Sequence, residues 1–98
     1  MIKVIVGYKV KQGADIQPIL LKLRSGAMQY SGFISAENFV RRKGNSIVMV
    51  VYTWQSASEW TEWEKSKIRQ ELLKEAETLL EDKPQVTMYT VAPTIEWL

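Results

Sequence analysis

Two tryptophans three residues apart, Trp60 and Trp63, one asparagine among apolar neighbours, Asn38, and the tyrosines Tyr8, Tyr52 and Tyr89 are the side chains best suited to chemistry. An indole at Trp63 can stack on an aromatic molecule or donate its Nε1–H to one, with Trp60 beside it as a further contact. Aromatic stripes at helical spacing also serve simply as core, and that alternative stays open for both. Asn38 shares strand parity with Ile34, Ala36 and Val40. An amide there can hold a phenolate or carbonyl oxygen, or it can face solvent or pair with the neighbouring strand. The three tyrosines can supply phenol donors to a quinone-like ligand, although half-buried strands carry tyrosine without any such role. Arg41 could neutralise an oxyanion if its strand turns inward, but the run Arg41-Arg42-Lys43 reads more simply as a solvated hairpin end. Met49 and Met88 would shape apolar space.

Two absences narrow the chemistry. The 98 residues contain no Cys and no His, which removes a Ser-His-Asp triad, a cysteine nucleophile, imidazole acid–base work and the usual zinc sites. The 11 acidic residues are scattered without a D-x-D-type cluster, so no metal is expected. A base would have to be a carboxylate, a tyrosinate or the ligand's own acidity. With a formal charge of +2 and both signs interspersed, no nucleic-acid partner is expected. A content of 46% hydrophobic and 24% charged residues is that of a folded globular chain. The opening MIKVIVGYKVKQG is broken by lysines and resembles neither a signal peptide nor a membrane helix. No membrane association is expected, and the cytoplasm is the expected compartment, since nothing in the cysteine count argues for secretion. The length suits one domain over residues 1–98, with 93–98 as a tail.

The elements that must position these residues follow from periodicity. From Ile2 to Val10 the even positions are apolar or aromatic, a strand pattern. Asp15 is the expected N-cap of a helix with Pro18 in its first turn. Ile16, Ile19, Leu20, Leu23, Ala27 and Tyr30 form its apolar face, and Ser31-Gly32 ends it. Phe33–Arg42 and Ser46–Gln55 read as strands joined by Lys43-Gly44-Asn45, whose Gly-Asn pair suits a tight hairpin. Ser56-Ala57-Ser58-Glu59 matches a capping box, placing a helix start at Ala57. Trp60 and Trp63 share a face of that helix. The apolar stripe then runs through Ile68, Leu72, Leu73, Ala76, Leu79 and Leu80, in one helix or in two with a kink near Ser66-Lys67. Asp82-Lys83-Pro84 stops it, and Gln85–Ala92 is the last strand. Beyond Pro93, the segment Thr94–Leu98 carries apolar weight that suggests a docked tail.

The third strand, IVMVVYTW, is apolar on both faces. In a four-stranded antiparallel sheet with helices on one side, the other side should be polar. The chain has no residues left for another layer, so a second copy, a ligand or both must cover that face. The order strand–helix–strand–strand–helix–strand is that of an α+β, ferredoxin-like βαββαβ fold with an antiparallel four-stranded sheet.

That order, Gly32-Phe33-Ile34 opening the second strand, and Trp54-Gln55-Ser56-x-x-x-Trp60-x-x-Trp63-x-x-Ser66 after the third together resemble the antibiotic biosynthesis monooxygenase family of dimeric α/β-barrel proteins. The resemblance spans about residues 1–92 at the level of pattern. It implies a homodimer whose two sheets face each other, with a cavity between sheet and helices for a small apolar or aromatic molecule. It also implies cofactor-independent oxygenation of a small aromatic quinol, with Trp63 and Asn38 as the candidate catalytic residues. Tyr8, Trp60, Tyr52 and Tyr89 would contact the ligand, and no cofactor would be needed. A non-catalytic dimer of the same fold, binding a small ligand or acting as a regulatory or stress module, is the alternative. The family's haem-degrading branch pairs a tryptophan at the Trp63 position with a histidine ten residues later and an asparagine on the first strand. Those positions here are Leu73 and Val6, and a leucine cannot ligate iron, so haem degradation is disfavoured.

Overall fold

The computed structural model describes residues 1–44 and 46–92. Eight-residue strands β1 (Ile2–Lys9), β2 (Phe33–Val40) and β3 (Ile47–Trp54) and the shorter β4 (Gln85–Thr90) form one antiparallel sheet in the order β2-β3-β1-β4. Helix α1 (Gln17–Ala27) joins β1 to β2. Helices α2 (Ala57–Glu64) and α3 (Lys67–Ala76), with a 3-10 turn at Glu77–Leu79, join β3 to β4. This is the α+β, ferredoxin-like arrangement that the pattern of elements predicts. The expected tail, 94–98, and Asn45 of the hairpin lie outside the described residues; Gly44 beside it has φ of 88°, in the left-handed region that glycine adopts without strain.

Direct cross-strand pairs assign every sheet residue to a face. Val4 opposes Tyr52, Val6 opposes Val50 and Tyr8 opposes Val48, and all six are buried together with Trp54. Helix α1 covers this face with Ile19, Leu20, Leu23 and Ala27, and α2 covers it with Trp60 and Trp63. The opposite face carries Lys3, Ile5, Gly7 and Lys9 of β1 against Thr53, Val51, Met49 and Ile47 of β3. Phe39 of β2 pairs with Met49 and extends the apolar strip. Met49 is 39% and Phe39 49% exposed, and with Val40, Arg41 and Ile47 they form a shallow depression of about 350 Å³. The doubly apolar third strand thus has one face in the core and one in the open. The outer strand β4 is exposed along its whole length.

Local signals locate the helix ends with instructive shifts. Asp15 does accept a hydrogen bond from the Gln17 amide, at 3.0 Å, yet the cap position itself is Ile16, which offers no side-chain bond. Helix α1 also stops at Ala27, and turns over 28–32 carry the chain to β2, so Tyr30 packs from a turn rather than from the helix. Ser56 caps α2 by accepting from the Glu59 amide at 3.3 Å. The Glu59 carboxylate accepts from the hydroxyls of Ser56 and Ser31, at 2.8 and 3.0 Å, instead of closing the usual reciprocal bond to a backbone amide.

The long helical stretch divides at Ser66, whose extended backbone (φ −63°, ψ 147°) interrupts the hydrogen-bond ladder and whose hydroxyl caps α3. That break resets the helical phase. In α3 the buried positions are Arg69 and Ala76, with Leu72 and Leu73 half-buried, while Ile68 points outward. The stripe expected to begin at Ile68 therefore begins one residue later, on an arginine.

Candidate functional site

The helix-side interior is unusually aromatic and unusually rich in donors. Trp60 from α2 lies 5.7 Å from the ring of Tyr52 and 6.0 Å from that of Trp54, both from β3. Phe33 meets Trp54 edge-on at 5.6 Å, and Tyr30 meets Trp63 edge-on at 5.4 Å. Trp54, Trp60 and Trp63 are all 0% exposed, and their indole nitrogens are enclosed without an acceptor among the described residues. An enclosed donor left unpaired is destabilising by roughly 1–3 kcal/mol. Three of them in one core are more than close packing requires.

Arg69 completes the cluster. Its guanidinium carbon sits 5.2 Å from the Trp60 ring centroid, and the residue is only 6% exposed. Among the described residues, a long contact of 3.5 Å from its Nη1 to the Glu64 carbonyl oxygen is the side chain's hydrogen bond. The ion pairs among the described residues join Lys9 to Glu81, Lys22 to Glu75 and Lys65 to Glu62; none involves Arg69. A second guanidinium, that of Arg24 on α1, donates to the backbone oxygen of Ala36 on β2.

These charges act on the two buried phenols. Burial, reinforced by the neighbouring Tyr52, pushes the Tyr8 phenol far above its ordinary value of 10.0, with Arg69 opposing. Burial also raises Tyr52, against the pull of Arg69 and then Arg24. Both side chains therefore stay protonated at neutral pH and can donate but not act as tyrosinate bases.

The structure brings Tyr8, Tyr52 and Trp60 together around Arg69. Trp63 lies on the same side of the sheet but faces α1, so close to Gly26 that a Cβ at that position would come within 2.6 Å of its ring. Asn38 opposes Val50 and so belongs to the helix-side face, but it sits on the outer strand β2 and is exposed. Tyr89 pairs with Lys3 on the open face and is 53% exposed. The sheet separates it from the tryptophans, and the expectation that it shares their interior is corrected on that ground: strand parity alone does not say which side the helices take. A cleft of about 240 Å³ where the strand ends meet the start of α1 is lined by Asp15, Ile16, Val40, Arg41 and Val48, and by none of the six expected site residues.

Arg69 and Arg24 escape sequence reading because an arginine on an amphipathic helix is ordinarily a solvated charge. Periodicity offers one clue: Arg69 stands three, four and seven residues before Leu72, Leu73 and Ala76, so it occupies a core position of α3. For a metal, the described residues offer no group of three acidic side chains. No helix among them is long and apolar enough to cross a membrane.

At the level of sequence, no family model and no curated protein matches the chain. Solved structures do match in fold. An antibiotic biosynthesis monooxygenase superposes with a TM-score of 0.82 at 17% identity, covering 95% of this chain and 100% of its own. SnoaB, a cofactor-independent oxygenase from Streptomyces nogalater, has a TM-score of 0.82 at 10% identity, covering 97% and 96%. Rv0793 from Mycobacterium tuberculosis has a TM-score of 0.79 at 18% identity, again covering 97% and 96%. The chain therefore has the ferredoxin-like α+β fold found in the antibiotic biosynthesis monooxygenases.

Proposed function

We propose that this protein is a cofactor-independent oxygenase of a small, electron-rich aromatic molecule, bound on the helix side of the sheet. The observation that carries the reading is the buried donor cluster: two phenols held protonated and a stack of tryptophans whose indole N–H groups have no acceptor among the described residues. Such a lining suits a flat ring bearing oxygens, which stacks on the indoles and accepts from the donors. Oxygenation without a cofactor needs the ring deprotonated, its anion able to pass an electron to dioxygen, and fixed donors that stabilise the negative oxygen. Tyr8 and Tyr52, being protonated, are the donors. With no imidazole in the chain, both phenols protonated and no carboxylate paired with Arg69 among the described residues, we take the proton to leave by the ligand's own acidity. In the balanced reaction of a hydroquinone, one atom of dioxygen enters a ring carbon and the other leaves as water. The ring supplies the electrons.

Trp63 and Asn38 are the residues proposed to act on the substrate. Trp63 would form the wall against α1. Asn38 lies on the same face as Ala36, two residues along β2 from the carbonyl that Arg24 holds. Chelator-treated protein should consume dioxygen with naphthohydroquinone above the autoxidation rate, and Trp63→Phe and Asn38→Ala should each lower that rate about tenfold or more, the usual loss for a lost transition-state contact. Equal rates in both variants would remove the two residues from the mechanism.

A second reading has its own support. Trp63 is wholly enclosed and pressed on Gly26, as in a core that does no chemistry. That favours a non-catalytic dimer that binds a small aromatic molecule. Tight binding of a naphthol with no oxygen uptake would select it. In either reading we take the protein to be one domain working in the cytoplasm as a homodimer. The open apolar face of Ile5, Met49, Val51 and Phe39, which nothing in the described chain covers, supports the pairing.

A further inference from the structure

The geometry points to Arg69 as the group that makes the helix-side interior select an anionic aromatic ligand, one with a carboxylate or an ionised ring oxygen. This inference rests on the reading of that interior as a ligand site and names the charge of what enters it.

The physical argument begins with burial. Arginine is almost never buried without an anion or a full set of acceptors, because the desolvation of the guanidinium must be offset. Arg69 is only 6% exposed. Among the described residues its side chain has one hydrogen bond, at the long limit of 3.5 Å, for five N–H donors. No carboxylate among the described residues lies within ion-pair distance of it, since the three ion pairs use other residues. The face of Trp60 at 5.2 Å offsets part of the cost of burying the charge, and an anion at the guanidinium would offset the rest.

The groups facing Arg69 set the sign of what fits. Tyr8 and Tyr52 are near enough for the cation to act on both, and Arg24 acts on Tyr52 as well. Two cations thus act on two neutral phenols, and no carboxylate among the described residues pairs with Arg69. Trp60 supplies an aromatic ring already held against Tyr52. An anionic oxygen on a flat ring satisfies both features: the ring stacks and the oxygen takes a fork of guanidinium N–H bonds. For an ionisable phenol the same cation lowers the ligand's own pKa and so favours the loss of its proton.

The test is a pair of isosteric probes, naphthoate and neutral naphthamide, titrated by calorimetry and by quenching of tryptophan fluorescence. Hydrogen bonds to a charged group contribute roughly 1.5–3 kcal/mol, so the wild-type protein should prefer naphthoate by about tenfold to a hundredfold. Arg69→Gln should abolish the preference, read as the ratio of the naphthoate and naphthamide affinities within that variant falling to about one. Arg69→Lys keeps the charge without the fork and should retain part of the preference. The exposed control Arg42→Gln should retain all of it. Should Arg69→Gln fail to fold by circular dichroism, the Arg69→Lys comparison and the wild-type preference still decide. Equal affinities in the wild type, an undiminished preference in Arg69→Gln, or no binding of either probe would overturn the inference. Binding needs no turnover. A naphthoate preference without oxygen uptake would leave the anion site standing and remove the oxygenase reading, and oxygen uptake without the preference would do the reverse.

Discussion

At the scale of single residues, Gly26 and the two buried tyrosines make the sharpest demands. Alanine is better than glycine inside a helix by roughly 1 kcal/mol, so Gly26 in α1 needs a reason, and the reason is the Trp63 ring 2.6 Å from where a Cβ would sit. Forcing a methyl group into such a contact is destabilising by about 1–3 kcal/mol. Gly26→Ala should therefore lower stability despite its helical preference, read as a reduced urea midpoint; an unchanged or higher midpoint would mean that Trp63 moves aside freely. Tyr8 and Tyr52 predict a pH dependence. Their folded-state values are raised by burial, so the folded protein keeps protons that the unfolded chain releases near pH 10. Their contribution is whole below that pH and is lost above it, at up to about 1.4 kcal/mol per pH unit for each phenol. Urea midpoints at rising alkaline pH should fall more steeply in the wild type than in Tyr8→Phe, and parallel curves would show that Tyr8 ionises normally. Gly26 gave no signal in the sequence reading, and only the packed structure supplies its neighbour. The phenols were legible as donors, whereas their protonation follows from a depth of burial that strand parity does not specify.

At the scale of elements, the caps and breaks decide which side chains reach the interior. Ser66 both ends the run of α2 and caps α3, its hydroxyl accepting from the Arg69 amide at 3.2 Å. Removing such a cap is destabilising by about 1 kcal/mol. Ser66→Ala should show that loss in thermal unfolding and, because the cap bonds Arg69 itself, should also weaken any discrimination that Arg69 provides. A stability equal to wild type would assign the break to packing alone. The strands, their order and the Ser56 cap could be read from period-two alternation and from the S-x-x-E spacing. The phase of α3 could not. A stripe counted continuously from Trp60 and Trp63 arrives at Ile68, and the extended Ser66 shifts it to Arg69, so the charged member of the interior was hidden by one residue of register. Tyr89 shows the complementary limit: alternation gives two faces, but only the docking of α1 and α2 says which is inside.

At the scale of the whole molecule, one sheet face is packed by helices and the other is open. The open strip carries Ile5, Met49, Val51 and Phe39 beside Lys3, whose ammonium is held by the Thr53 hydroxyl at 2.7 Å. A face-to-face pair of sheets would bury that strip, so light scattering should give twice the 11.3 kDa of the chain. Met49→Lys, which places a charge at the centre of the strip, should shift the protein to monomer. A wild-type monomer would contradict the pairing. The open apolar face was legible, because the strand Ile47–Trp54 is apolar at both parities. The central claim, however, concerns chemistry on the helix side, and one measurement tests it most directly. Chelator-treated protein is supplied with naphthohydroquinone and isotopically heavy dioxygen, and the product is weighed by mass spectrometry. The account predicts hydroxynaphthoquinone carrying one heavy oxygen, formed with one equivalent of water and lost in Trp63→Phe. Plain naphthoquinone with hydrogen peroxide, formed at the rate seen without protein, would contradict it.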